Sequence, residues 1–159
     1  MQITCLGASG HVTGSAFLLE NDKKYLVDCG LFQGGRQMEA LNRQDWGFRP
    51  GNISALFLTH AHIDHCGRIP KLVKDGFHGR IYATRATTEL CKILLLDSAH
   101  IQEMEAEWQT RKNRRAGDPG VEPLYTVPDV ETCLPLFQVV NTGETIQLDP
   151  ELRVRFRNA

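Results

Sequence analysis

Long apolar runs are missing from these 159 residues. The longest reach only four, as in "ILLL" at 93–96, far from the ~20 needed to cross a bilayer. The opening "MQITCLGASG" has neither a basic start nor an apolar stretch after it, so no secretory signal is predicted. Paired cysteines are missing as well. Cys5, Cys29, Cys66, Cys91 and Cys133 are odd in number and none stands in a CxxC pair, which predicts free thiols in a reducing cytoplasm. Neither sign of charge dominates. Eighteen Lys and Arg against nineteen Asp and Glu leave a net charge of −1, so the molecule as a whole does not attract nucleic acid, although local basic patches remain open. There are no internal repeats and no low-complexity tract. What is present, 42% hydrophobic and 23% charged residues, suits one soluble domain.

The order of segments predicts an α/β chain. "ITCLG", "AFLLE" and "KYLVDCG" read as short strands bounded by turn formers, with "ASGHVTGS" and "NDKK" as the turns between them. "RQMEALNRQDW" reads as a short helix or an irregular excursion. Residues 55–59, "ALFLT", form an apolar strand, "CGRIPKLVKDGF" a helix stopped at Gly76 with Pro70 in its first turn, and "GRIYATR" a further strand. Strand, helix, strand in that order implies parallel pairing with a right-handed crossover. From residue 86 to about 115 one long helix is predicted, with Leu90, Leu94, Ile101, Met104 and Trp108 at helical spacing as its apolar stripe. Asp97 falls on that seam, either kept wet by a drifting stripe or buried as a structural acceptor. "TRKNRRAGDPG" closes the helix on basic residues. A solvated, dipole-matched helix end explains them, and an RNA-phosphate contact is the alternative. "VPDVETCLPLF" reads as a short helix starting near Thr126 or Val127, and "FQVVN", "ETIQLD" and "LRVRFRNA" as strands. The alternation in the last of these runs almost to the final residue, which predicts that the chain is part of a longer protein.

The chemistry lies in "LTHAHIDHCG" at 58–67. His60 and His62, two apart on an extended segment, point to the same side and can grip one divalent ion. Asp64 and His65 follow at the turn into a helix, where they can serve a second ion. Nitrogen ligands with one carboxylate suit zinc, or manganese or iron at lower affinity. Two ions ~3.5–4 Å apart can share a hydroxide and polarise a phosphoryl or carbonyl oxygen. Isolated histidines are a different matter: His11, His78 and His100 are read as surface or turn residues and not as ligands.

These residues carry a resemblance. "THAHIDHCG" resembles the His-x-His-x-Asp-His signature of the metallo-β-lactamase fold, and "LVDCG" its earlier strand ending in an aspartate, here Asp28. "GASGHVTGSAFLLE" and "TRATTELCKILLLDSAHIQE" resemble the β-CASP branch, nucleases that hydrolyse phosphodiester bonds, mostly of RNA. The resemblance implies an αββα sandwich of which residues 1–159 supply the N-terminal portion. It implies His60 and His62 on one metal, Asp64 and His65 on a second, Asp64 also holding or deprotonating the attacking water, and Asp28 orienting ligands from behind them. "VTGS", 12–15, would be a tight hairpin loop near the site with Gly14 at positive φ.

In that family two more histidines, a bridging aspartate and the β-CASP domain come later in the chain. Each metal therefore has two protein ligands here, against the three that catalytic zinc sites keep. Weak or partial zinc occupancy and no nuclease activity are expected of the chain alone. One sheet face should expose apolar surface, favouring self-association through that face or a sheet edge. The function expected of the parent protein is RNA-processing hydrolysis by a di-zinc-activated water, endonucleolytic or exonucleolytic, in the cytoplasm. The alternatives are a thioester or lactam hydrolase of the same superfamily, and a non-catalytic module that holds RNA or a protein.

Overall fold

Alternating and apolar segments build the sheet in the order in which they occur. In the computed structural model, residues 1–10, 12–150 and 152–158 are described; the reading of His11 lies outside them. Strands β1 (Gln2–Cys5), β2 (Phe17–Glu20) and β3 (Lys24–Val27) form an antiparallel meander, with Leu18 opposite Leu26 and Leu19 opposite Tyr25. β4 (Ile53–Phe57), β5 (Arg80–Thr84) and β6 (Phe137–Val140) then add in parallel, giving one six-stranded sheet in sequential order. The predicted parallel pairing of β4 with β5 is present, Leu56 opposite Ile81. Between β3 and β4 lie the short helix α1 (Arg36–Ala40) and two single 3-10 turns.

Parallel neighbours require crossovers, and these place helices on one face. Between β4 and β5 run α2 (Ile63–Cys66) and α3 (Ile69–Lys74); between β5 and β6 run α4 (Arg85–Ala116) and α5 (Val127–Cys133). Leu18, Leu26, Leu56 and Ile81 from the sheet pack against Ile69, Leu72, Leu95 and Tyr125 from this helical layer. Cys29, Cys66, Cys91 and Cys133 are buried in the same core as free thiols, while Cys5 is exposed. Burial pushes the Cys29 and Cys133 thiols up to about 12.

Three expectations are corrected. "CGRIPKLVKDGF" holds one helix, α3, with Pro70 in its first turn as expected, but that helix starts at Ile69 and not at Cys66, which closes α2; Gly67 and Arg68 separate the two. Intruding main chain takes the bonds that would have continued the helix: Ser15 N–H donates to the Asp64 carbonyl, Cys29 N–H to the His65 carbonyl, and Arg68 N–H to the Cys29 carbonyl. α4 has the predicted length but buries another face. Thr87, Thr88, Cys91, Leu95, Ala99 and Ala106 face the core, whereas Leu90, Ile101, Met104 and Trp108 are 47–69% exposed and Asp97 is exposed with them. The small residues allow the helix to lie close on its neighbours. Third, the far sheet face is not bare. The antiparallel hairpin β7 (Thr145–Gln147) and β8 (Arg153–Arg155) brings Val154, with Leu148, Leu152 and Phe156, onto Tyr25, Ala55 and Phe57.

Both ends of the helical layer are capped by local chemistry. Thr126 and Asp129 form a reciprocal capping box at the start of α5. Burial opposes ionisation of Asp129, but bonds from the Thr126 N–H and hydroxyl and from Lys74 outweigh it and hold its carboxyl below the usual range. α4 ends at Gly117, whose φ of 81° suits a residue without Cβ.

Candidate metal centre

Asp28 anchors the site. It continues β3 past Val27, its N–H donating to the Phe57 carbonyl at 2.9 Å, and then turns out of the sheet at φ 60°, a left-handed conformation that aspartate tolerates better than most residues. The side chain is 2% exposed and no Lys or Arg pairs with it among the described residues. Hydroxyl, main-chain and imidazole donors satisfy it instead. Oδ1 accepts from the Thr59 N–H and hydroxyl, both at 2.9 Å, and Oδ2 accepts from the Ser15 hydroxyl at 3.1 Å and from His65 Nδ1 at 2.8 Å.

That arrangement assigns the imidazole tautomers. A carboxylate only accepts, so the proton of the His65–Asp28 pair sits on Nδ1 and leaves the His65 Nε2 lone pair free. The single Thr59 proton is likewise drawn to Asp28, so the hydroxyl oxygen accepts from His60 Nδ1, 3.0 Å away. His60 Nε2 is then also a lone pair. One buried carboxylate and one hydroxyl thus orient both rings with Nε2 away from these hydrogen bonds. Burial, with His65 and His62 close by, lowers the His60 pKa and keeps the ring in the neutral form that binds metal.

The predicted residues come together in two pairs. His60 Nε2 faces His62 Nδ1 at 3.1 Å, close to the ~3.3 Å between two nitrogens on a tetrahedral zinc with bonds of ~2.0–2.1 Å. His65 Nε2 lies 3.7 Å from Asp64 Oδ2, and the His60 and His65 rings are 3.9 Å apart between centroids. Among the described residues no three His, Cys, Asp or Glu side chains converge as for one ion. The donor set, imidazole nitrogens with one carboxylate, fits a borderline divalent metal.

Main chain holds the pairs in place. Ser15 N–H donates to the Asp64 carbonyl and Gly30 N–H to the Ser15 carbonyl, both at 2.8 Å, while Leu31 N–H reaches the Ile63 carbonyl at 3.0 Å. Gly30 is required at this crossing, because a Cβ there would lie 1.6 Å from the Asp64 carbonyl oxygen. Arg68, 6% exposed, donates from Nε to the Gly30 carbonyl and lies between the Phe32 and Trp46 rings. In the "VTGS" loop Gly14 has the expected positive φ, 81°, and packs on Phe32. His78 bonds the Gly76 carbonyl through Nδ1, and His100 is exposed on α4 beside Glu103; neither approaches the site. Sequence reasoning placed Ser15 only in a loop near the site and missed Thr59, Gly30 and Arg68. Of these three only Thr59 carried a signal, as the polar residue between the apolar strand and His60.

Comparison with known proteins gives a consistent picture. The family model of the metallo-beta-lactamase superfamily matches residues 10–136. Over 149 residues the chain is 39% identical to Ribonuclease TTHA0252 of Thermus thermophilus, covering 93% of this chain and 30% of that protein. It is 28% identical over 160 residues to Transcription termination factor FttA of Methanocaldococcus jannaschii, covering 100% and 23%. It is 33% identical over 146 residues to Cleavage and polyadenylation specificity factor 73 of Drosophila melanogaster, covering 91% and 19%. The chain spans less than a third of the length of these relatives.

Proposed function

Because the chain belongs to the metallo-beta-lactamase superfamily, whose members are metal-dependent and typically use zinc, we propose that it is the ligand-bearing N-terminal part of an RNA-processing nuclease of the β-CASP branch. The observation that carries the reading is the Asp28–Thr59 network, which engages Nδ1 of both His60 and His65 and leaves Nε2 of each ring for a metal. The names of the relatives, a ribonuclease and a cleavage factor, support RNA as the substrate.

His60 and His62 would hold one ion and Asp64 and His65 the other. Zinc is the favoured metal, with manganese or iron as alternatives. Bound there, the ions would activate a water and polarise a phosphoryl oxygen. Asp64 would orient that water and take its proton. Asp28 touches no substrate; it keeps His65 and, through Thr59, His60 in the ligating tautomer. Two side chains per ion leave each site open on the outward side, where the rest of the longer protein supplies further ligands. The five free thiols support a reducing compartment, the cytoplasm, and no helix among the described residues is long and apolar enough to cross a membrane.

The test is cleavage of labelled single-stranded RNA by the full-length protein with added zinc or manganese, beside its His60→Ala and Asp64→Asn variants. Metal-dependent cleavage lost in both variants is the expected outcome. Faster turnover of a thioester or a lactam than of RNA would overturn the reading.

A further inference from the structure

Helix α4 carries a basic surface that the metal centre does not use. Arg111, Lys112, Arg114 and Arg115 fall within five positions and all are exposed. None of the four forms an ion pair or a side-chain hydrogen bond among the described residues; Lys112 Nζ lies over the Trp108 ring, 5.3 Å from its centroid. Trp108 is itself 59% exposed. At 3.6 residues per turn, positions 108, 111, 112 and 115 share one face of the helix. Glu105 borders that face and Glu107 lies about a quarter turn away.

Helix capping does not explain this cluster. Gly117 N–H donates to the Arg114 carbonyl and Asp118 N–H to the Asn113 carbonyl, a Schellman ending that satisfies the terminal acceptors with backbone alone. Core packing does not explain it either. The segment after Gly117 folds back along the opposite face, where Thr110 exchanges hydrogen bonds with Val121, Asn113 donates to the Pro119 carbonyl and Leu124 N–H reaches Gln102. The strap therefore stiffens this end of α4 and leaves the Trp108 face open.

An exposed indole among unpaired cations is the combination that holds a single strand of nucleic acid, with a base stacked on the ring and phosphates beside the cations. We propose that Trp108, Arg111, Lys112 and Arg115 form an anchor for single-stranded RNA, remote from the metal centre. The assignment rests on the nuclease reading above for its choice of RNA. The same helix connects the two places: Leu94 and Ile63, next to His62 and Asp64, line one groove, and Trp108 lies about 20 Å further along α4 at 1.5 Å per residue. A strand bound at the anchor would thus reach the reacting phosphate several nucleotides away.

The experiment uses the full-length protein with metal removed by chelator, so that RNA is bound and not cut. Fluorescence anisotropy of a labelled unstructured RNA is followed against salt for the wild type, Trp108→Ala, and the triple variant Arg111→Ala/Lys112→Ala/Arg115→Ala. Loss of the ring should weaken binding by about 5-fold to 150-fold. Loss of three cations should flatten the slope of log K against log salt by about 2, at roughly 0.7 per phosphate on a single strand. With metal restored, hydrolysis of a small phosphodiester, bis(p-nitrophenyl) phosphate, should be unchanged in both variants. A parallel fall in that hydrolysis would overturn a remote anchor. Unchanged affinity and slope would also overturn it, and would leave this face to a protein neighbour. A wild type that binds RNA through the anchor and hydrolyses neither RNA nor the small diester would count against the nuclease reading alone.

Discussion

Replacing Asp28 by Asn tests the tautomer relay with a change of one atom. The amide oxygen can stay where Oδ1 is and keep both bonds from Thr59, at 2.9 Å each. The amide nitrogen then stands where Oδ2 was, facing the Ser15 hydroxyl at 3.1 Å and His65 Nδ1 at 2.8 Å. Ser15 adapts by rotating its proton away and accepting. His65 adapts only by accepting at Nδ1, which moves its proton to Nε2, the atom that should bind metal. The structural cost is that of disturbing one buried polar contact, about 1–3 kcal/mol. The functional cost should be larger in kind: affinity at the Asp64–His65 ion should fall by about 10-fold to 100-fold. Competition of the full-length protein with a chromophoric chelator measures the affinity, and long-range nitrogen–proton NMR of labelled histidine reports which ring nitrogen of His65 is protonated. An Asp28→Asn protein that keeps wild-type affinity and a His65 proton on Nδ1 would refute the relay.

Three further perturbations address the frame around the site and the cap of α5. Gly30→Ala must push the Asp64 carbonyl about 1.4 Å or more away before the new methyl reaches even a tight contact, breaking the Cys29–His65 and Leu31–Ile63 main-chain bonds; a loss of about 3 kcal/mol or more is expected in urea unfolding, and a change within 0.5 kcal/mol would contradict the close crossing. Thr126→Ala should cost about 1 kcal/mol through the lost cap. Because the Asp129 carboxyl is depressed in the folded chain, its stabilisation is complete above the unfolded value of about 3.9 and fades as pH falls through the folded one; the stability gap between wild type and Asp129→Asn should therefore close below about pH 4, and a gap that persists there would oppose the assignment.

The sheet was legible because its strands follow local rules. Leu18, Leu26, Leu56 and Ile81 are apolar in short runs between turn formers, and each strand pairs with its predecessor, so pattern and topology coincide. That His60, His62, Asp64 and His65 cluster was legible because they lie within six positions of one another. The buried face of α4 was not. Periodicity weighs side-chain size, and here the large residues Leu90, Ile101, Met104 and Trp108 face outward, while Thr87, Cys91 and Ala99 make the close approach. The break between α2 and α3 was equally hidden, because it is imposed by Ser15 and Cys29, more than thirty residues upstream. A separation of thirteen residues, with two strands between, likewise hid Ser15 as a partner of Asp28. A residue whose role is to satisfy a remote buried acceptor leaves no mark in its own neighbourhood.

The sequential strand order has a consequence for synthesis. Every strand of the main sheet docks on the one made just before it, so no edge has to be held open for a distant segment. At ~5–20 residues per second the ribosome can deliver the strands one at a time onto an existing edge. Once Thr84 has emerged, five of the six strands and all of Asp28, His60, His62, Asp64 and His65 are available. The frame around the candidate metal ligands can thus be assembled vectorially, while α4 and all that follows it are still being translated.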